Sequence, residues 1–508
     1  MSGLLLSLAF PTFDLWPLVL VGLSLLALEL RGRGLREAFW RGFIAGAAHA
    51  GTLLYWLVYT LVTFGQLPWV VALPTFCLLI AYLALYPGLF GLGLALLDEK
   101  GLGLAPDGPA YCLLGAALFT GLEYFKGFFL TGFPWEPLGA ALLKSDLLIQ
   151  LADVVGTGGL TFLVVLINLF LAAAVLRMKA AGWAAAWKPA AAAVLILALL
   201  SAYGGFRLRE IRSLMSQSQT RTVAVIQGSI DQSIKWDPNN RVNTLLTYKD
   251  LTLRASAANP WLNIWPETAA PFYFQRDPAA SDWLIDLTRK SGAALLFGAP
   301  AFEESEAKRR YYNRAYLLDN QGQVLGHYDK THLVPYGEYV PLQKYFPFIQ
   351  KITQATGDFY PGPAGKVLKL NDRNLGVLIC YESIFPELAR RSVYGGADYL
   401  VVITNDAWFG STSAPYQHYD QAAVRAIENR RAVLRAANTG VSGLILPTGR
   451  SESSLGLFVP GFLTGRAPRL TVNTIYTAVG DLVPQACLGV TVAVLAAALI
   501  RRRYAGRS

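Results

Sequence analysis

Apolar residues crowd the two ends of this chain and are interleaved with polar ones in its middle. Residues 1 to about 205 run in nearly charge-free blocks, 206 to about 484 alternate short apolar runs with amphipathic ones, and 485–500 are apolar again. A helix needs about 20 mostly apolar residues to cross a bilayer core. Seven stretches have that character: 15–30, 41–63, 68–97, 109–130, 149–176, 189–205 and 485–500. A further stretch, Leu4 to Phe10, is stopped by Pro11, so residues 1–13 are expected to be incomplete as a crossing. The loop 31–41 carries Arg31, Arg33, Arg36 and Arg41, and 177–188 carries Arg177, Lys179 and Lys188. Under the positive-inside rule both face the cytoplasm. Alternation then delivers the middle region to the outer face, and Arg501, Arg502 and Arg503 end inside.

The middle region has the periodicity of a layered α/β domain. TVAVIQ (222–227), LNIWPE (262–267), ALLFGAP (294–300), NLGVLICYE (374–382) and YLVVITND (399–406) are short β-rich runs. Residues 311–330 read as a hairpin turning at Asp319–Gly322. Amphipathic stretches at 281–291 and 416–436 predict helices, and another is expected to begin near Ile384. Interleaved strands and helices imply sheets covered by helices. The expected organisation is a transmembrane helix bundle over 1–205, an extracytoplasmic catalytic domain over 206–484, and a last membrane helix with a basic cytoplasmic tail over 485–508.

Composition agrees with the membrane reading, at 54% hydrophobic and 15% charged residues. The formal net charge of +10 sits largely beside apolar segments, so it marks topology and not a nucleic-acid partner. Of the four cysteines, 77, 112 and 487 lie in or beside apolar segments and Cys380 alone is in the aqueous region. The four histidines are scattered and no CxxC occurs, so neither a disulfide framework nor a metal site is expected.

Three polar residues stand at or near the ends of apolar strands, where α/β folds place their sites. These are Glu267 after LNIWP, Lys330 closing the hairpin, and Cys380 after NLGVLI. Singly, each has a bland reading: a solvated carboxylate, a surface ammonium, an inert buried thiol. Together they suffice for acyl transfer without histidine. A carboxylate takes the thiol proton and returns it to a leaving group. An ammonium, with a backbone N–H such as that of Tyr381, stabilises the oxyanion. A nearby cation or helix N-terminus would lower the thiol pKa.

The motifs IWPE (264–267), DKTHLVPYGEYVP (329–341), ICYES (379–383) and NDAWFG (405–410) resemble the nitrilase, or carbon–nitrogen hydrolase, superfamily. QGSIDQSIKWDP (227–238) and TGFPW (131–135) narrow the resemblance to the apolipoprotein N-acyltransferase family, over nearly the whole chain. The resemblance implies a nitrilase-like αββα sandwich beside a multi-span helical bundle. It implies Glu267 as general base, Lys330 as oxyanion stabiliser and Cys380 as nucleophile. Glu338 matches the family's second glutamate, Tyr381 and Glu382 the positions after the nucleophile, and Trp236 and Trp408 tryptophans near the pocket. The family reaction moves an acyl chain from a phospholipid, typically phosphatidylethanolamine, to the α-amino group of a lipoprotein's diacylglyceryl-cysteine. It proceeds through a thioester, without a cofactor, on the periplasmic side of the bacterial inner membrane. The N-terminus departs from the pattern, since family members usually begin with a fuller first helix.

Two other classes share some of these features. A membrane-anchored amidase would use the same triad with water as acceptor, but needs no seven spans. A transporter would need intramembrane ionisable groups, and Glu123, Lys126 and Asp153 are the main ones present. Finally, 339–360, with Tyr345, Phe346, Phe348 and Ile349 between basic residues, is expected to form a lid at the membrane surface.

Overall fold

Without water to hydrogen-bond the backbone, an apolar segment must satisfy its own N–H and C=O groups, and both ends of the chain are accordingly helical. The computed structural model describes residues 1–98, 102–305, 308–340 and 359–505. The chain forms two units: Met1–Val58, Pro68–Leu208 and Val479–Ser508 make one, Tyr59–Leu67 and Arg209–Ala478 the other. Most of the expected lid, 341–358, lies outside the described residues.

All seven expected crossings are helical, but they differ in reach. Among the described residues three helices are long and apolar enough to cross a membrane: Trp69–Leu97, Leu148–Ala181 and Trp183–Gln217. A fourth results if Leu35–Leu53 and Trp56–Thr63, bent by 57°, form one span. Trp16–Leu30 and Leu482–Ala498 are shorter apolar helices. Pro109–Lys126 has 18 residues and ends on charged groups. The N-terminal helix Ser2–Ser7 has six residues, about 9 Å at 1.5 Å per residue. The three ionisable residues singled out in the sequence are paired: Glu123 meets Lys126 at 2.7 Å, and buried Asp153 meets Arg207 at 2.6 Å and the Tyr203 hydroxyl at 2.7 Å. The first pair lies within helix Pro109–Lys126, and the second joins Leu148–Ala181 to Trp183–Gln217.

Small residues let two helices approach closely. Ala38, Gly42 and Gly46, four apart on Leu35–Leu53, face Pro87, Gly88 and Gly91 of Trp69–Leu97. A Cβ on Gly42 would lie 2.2 Å from the Pro87 carbonyl oxygen, and one on Gly91 2.4 Å from that of Ala38. In lipid, where apolar burial drives little association, such backbone approach supplies the packing.

Among the described residues the other unit contains twelve strands: β1 (Thr220–Gln227), β2 (Leu262–Ile264), β3 (Ala294–Ser305), β4 (Lys308–Leu318), β5 (Val324–Asp329), β6 (Val367–Leu370), β7 (Arg373–Ile379), β8 (Tyr399–Thr404), β9 (Ala432–Ala437), β10 (Ser442–Ile445), β11 (Ser451–Leu455) and β12 (Gly461–Pro468). They form two six-stranded sheets, in the orders β12-β1-β2-β3-β4-β5 and β11-β10-β9-β8-β7-β6. Each has three parallel strands at its centre, β1-β2-β3 and β7-β8-β9, flanked by antiparallel ones. Strands covered on both faces read as continuous apolar runs, as TVAVIQ and YLVVIT do. Val223, Val225, Ile264 and Leu296 meet Val377, Ile379, Val401, Ile403 and Leu434 between the sheets. The alternate residues Ala224, Ile226, Leu295 and Phe297 pack on helices Arg241–Ala255 and Pro278–Ser291. Helices Pro386–Tyr394 and Ala414–Asn429 cover the second sheet, completing an αββα sandwich.

Two expected helices are corrected. The one placed over 416–436 stops at Asn429, and Ala432–Ala437 is strand β9. AVLRAA favours a helix by propensity, but Arg430 turns left-handed (φ 50°) and its guanidinium donates to the Pro447 carbonyl at 2.9 Å. The helix expected from Ile384 begins at Pro386, after a 3-10 turn over Cys380–Ile384.

Replacing Gly42 by valine should force Leu35–Leu53 away from Trp69–Leu97 and cost about 1–3 kcal/mol, as overpacking usually does. A lower thermal midpoint of the detergent-solubilised protein checks this, with half-buried Gly51 as the control position, since nothing lies within 4 Å of its added Cβ.

Candidate active site

The strand ends converge on one buried cluster. Glu267 lies three residues beyond β2, Lys330 directly follows β5, and Cys380 directly follows β7. All three are less than a tenth exposed. Backbone strain marks the same places: Cys380 (φ 55°), Thr268 next to Glu267 (φ 48°) and Tyr336 between Lys330 and Glu338 (φ 61°) are left-handed without being glycine, at a cost of about 1–3 kcal/mol each. The turn bearing Glu267 is accommodated by Gly298 of β3, where a Cβ would sit 2.5 Å from the Thr268 nitrogen and 2.8 Å from the Glu267 Cα.

The Glu267 carboxylate accepts the Asn313 side-chain amide at 2.7 Å on Oε1 and the Asn405 backbone N–H at 2.9 Å on Oε2. The Lys330 ammonium stands 3.6 Å from Glu267 Oε1 and donates to Glu338 at 3.0 Å. Glu338 is held in turn by the same Asn313 amide at 2.9 Å and by the Val334 backbone N–H at 2.8 Å. One amide therefore bridges both glutamates. Asn313 was not anticipated from the sequence; its one signal is an amide inside a strand, where amides are depleted.

Burial works against the charge on Lys330, but Glu338 foremost, then Glu267 and Cys380, hold its pKa above the ordinary lysine value. The opposite holds at Cys380. Burial and then the Glu267 charge push its thiol well up, and Lys330 offsets only part of this. The expectation of a thiol acidified by its surroundings is thus corrected: a group this deep in a sandwich loses more from desolvation than one shared ammonium returns. Burial thus favours the thiol form of Cys380.

Glu382 is fully buried and feels the Lys330 charge, but its carboxylate is spent on other donors. Its Oε1 accepts the Tyr328 hydroxyl at 2.9 Å and the Thr331 and His332 N–H groups at 2.7 and 3.0 Å, and its Oε2 accepts the Ile379 N–H at 2.7 Å. Burial pushes its pKa up to about 7 against those donors. The carboxylate thereby ties the turn of Cys380 to the segment carrying Lys330. Tyr381 is half-buried and packs edge-on against Phe385, with centroids 5.1 Å apart. The tryptophans do not join the cluster. Trp236 is 43% exposed. Trp408 is half-buried and packs edge-on against Phe64, with its carbonyl accepting the Thr60 hydroxyl at 2.9 Å. Elsewhere Glu303, His327 and Asp329 approach one another closely enough to suit a cation, but Arg314 already pairs with Glu303 at 2.8 Å and Asp329 at 2.9 Å.

Removing the Glu382 side chain should leave four donors unmet. Glu382→Ala is expected to destabilise the protein by about 3 kcal/mol or more, since each buried unsatisfied donor costs about 1–3 kcal/mol. Glu382→Gln, which keeps an acceptor oxygen, should lose less. Denaturant or thermal unfolding of the two variants checks the order.

Comparison with known proteins places this architecture. Residues 2–170 match the apolipoprotein N-acyltransferase N-terminal domain family, and residues 222–454 match the carbon-nitrogen hydrolase family. A protein named apolipoprotein N-acyltransferase from Geobacter metallireducens is 40% identical over 507 residues, covering 99% of this chain and 95% of that one. One of the same name from Rhodopseudomonas palustris is 36% identical over 528 residues, covering 100% of this chain and 95% of that one. Among solved structures, an amidase from Nesterenkonia sp. matches 50% of this chain and 92% of its own at 26% identity, with a TM-score of 0.38. Full-length similarity at this level, with both regions matched, means that the chain belongs to the apolipoprotein N-acyltransferase family, acyltransferases of the carbon–nitrogen hydrolase superfamily.

Proposed function

We propose that this protein transfers an acyl chain from a phospholipid to the α-amino group of a lipoprotein's N-terminal diacylglyceryl-cysteine, through a thioester on Cys380. The observation that carries the reading is the convergence of Glu267 and Glu338 on one Asn313 amide, with the Lys330 ammonium paired to both and the Cys380 thiol buried close enough to feel Glu267 and Lys330. Phosphatidylethanolamine is the expected donor.

The chemistry follows from that arrangement. As Cys380 Sγ attacks the ester carbonyl carbon, Glu267 takes the thiol proton, so no free thiolate need persist in an apolar site. The developing oxyanion is met by the Lys330 ammonium and the Tyr381 N–H. Glu338 and Asn313 keep Lys330 and Glu267 apart in fixed orientations, so the lysine stays charged while the carboxylate shuttles protons. Collapse expels the lysophospholipid alkoxide, which takes the proton from Glu267. In the second half the acceptor amine attacks the thioester, Glu267 removes its proton, and the sulfur leaves and is reprotonated. An α-amino group has a pKa near ~8, so base assistance helps at neutral pH. Trp236, which is partly exposed, and Trp408 are assigned to the walls that receive lipid.

Both substrates are membrane-borne, which accounts for helices able to cross a bilayer in the same chain. We place the catalytic unit on the periplasmic face of a bacterial inner membrane, as the arginine-rich loops require. Reporter fusions near residue 215 and at the C-terminus should report opposite sides, and agreement between them would break the topology.

The chemical test is intact-mass measurement after incubation with phospholipid alone. The wild type should carry one acyl group on Cys380, stable for minutes and discharged by a diacylglyceryl-cysteinyl peptide. Cys380→Ser should form at most a slow ester, and Glu267→Gln and Lys330→Ala no adduct. Steady fatty-acid release without acceptor would favour an amidase-like hydrolysis instead, and an adduct on another residue would overturn the assignment of the nucleophile.

A further inference from the structure

The mechanism leaves unused a buried lysine that contacts the Glu267 turn. Lys235, in the turn that follows β1, is 2% exposed, while its neighbours Ile234 and Trp236 on either side are 42% and 43% exposed. A lysine placed inward between two outward apolar residues reverses the usual preference, because burying an ammonium costs several kcal/mol unless a charge answers it. Its Nζ donates to the backbone carbonyl of Glu267 at 3.1 Å. That carbonyl is neutral and satisfies one of three N–H donors. The charges facing the ammonium are those of Glu267 and, when ionised, Cys380.

Counting charge around the thiol shows what this does. Glu267 and Glu338 are both within 3.6 Å of Lys330. Glu382 adds a partial negative charge, its pKa lying near about 7. Asp406, the other carboxylate acting on Cys380, is answered by Arg435 at 2.8 Å and by His418 at 2.9 Å. Lys330 alone would therefore face two to three glutamates. A buried pocket with that excess is a poor place to build further negative charge on sulfur or on a carbonyl oxygen. A second ammonium restores the balance.

We propose that Lys235 is the second cation of the active site, a positioning residue that offsets the glutamate excess and holds the Glu267 turn by its carbonyl. It acts through Glu267 and Cys380 and need not touch the substrate. Burial lowers its pKa to about 8 against the pull of Glu267 and Cys380, so it is charged at neutral pH. The inference rests on the reading of Glu267 and Cys380 as base and nucleophile.

The test is the pH profile of single-turnover acylation of Cys380 by phospholipid, read by intact mass on the full-length protein in detergent. Loss of a nearby cation favours the protonated forms of both Glu267 and Cys380. The acid limb of the profile should thus move to higher pH by about one unit in Lys235→Met and in Lys235→Gln. Lys235→Arg, which keeps the charge, should retain the wild-type limb. Lys235→Gln keeps a donor to the Glu267 carbonyl, so it separates charge from hydrogen bonding, and it carries the test if Lys235→Met does not fold. A lower plateau with an unmoved limb in Lys235→Gln, or an equal displacement in Lys235→Arg, would overturn the proposal and leave Lys235 a structural residue. Absence of any adduct on wild-type Cys380 would instead sink the acyltransferase chemistry itself, so the two failures are distinguishable.

Discussion

A carboxylate taken out of water must be met by donors, and the catalytic unit depends on how it meets two of them. Glu267 leaves the first sheet and accepts a backbone N–H at Asn405, beyond β8 of the second. Glu382 leaves the second sheet and accepts the Thr331 and His332 N–H groups, beyond β5 of the first. The two crossings are reciprocal. The sheets are thus fastened polar to polar at one end while the aliphatic layer holds them along their length. Hydrophobic packing alone would tolerate small slippage; hydrogen bonds to fixed backbone groups do not. Because Lys330 precedes Thr331 and Cys380 follows Ile379, the crossings fix the spacing of ammonium and sulfur.

The same constraint shapes reactivity. A site built from buried carboxylates is a hostile environment for a thiolate, and burial beside Glu267 favours the protonated sulfur. The Glu267 carboxylate is held in place by an amide that cannot itself take a proton. An unreactive resting thiol suits a protein whose substrate arrives from lipid, since oxidants and alkylating agents meet little thiolate.

Much of this was legible in the sequence. The apolar runs of β1, β7 and β8 identify strands buried on both faces, and Glu267, Lys330 and Cys380 could be found because each breaks such a pattern at its end. Glu338 and Glu382 came through family resemblance, yet their jobs differ: one binds Lys330, the other staples the sheets. What sequence did not reveal depends on tertiary partners. Strand β9 hides in a helix-forming string because Arg430 ends the helix by reaching Pro447. Asn313 is silent because a single amide acquires meaning only between two glutamates. Lys235 looks like a surface residue until its neighbours are seen to face the other way. The reach of the membrane helices was overestimated where charged groups, as at Glu123 and Lys126, shorten the apolar length.

The unit that holds the site also includes Tyr59–Leu67, some 150 residues upstream of Arg209 in the chain. Phe64 and Thr60 pack against Trp408, and a Cβ on Gly410 would strike the Tyr59 ring at 2.5 Å. The catalytic fold is therefore not a contiguous module. Excising 209–478 as a soluble fragment would strip the ring and carbonyl of Trp408 of their partners and expose an aromatic edge beside NDAWFG. Gene fusion, fission or recombination at that junction would carry the same defect, which binds the two parts of the chain to a common inheritance.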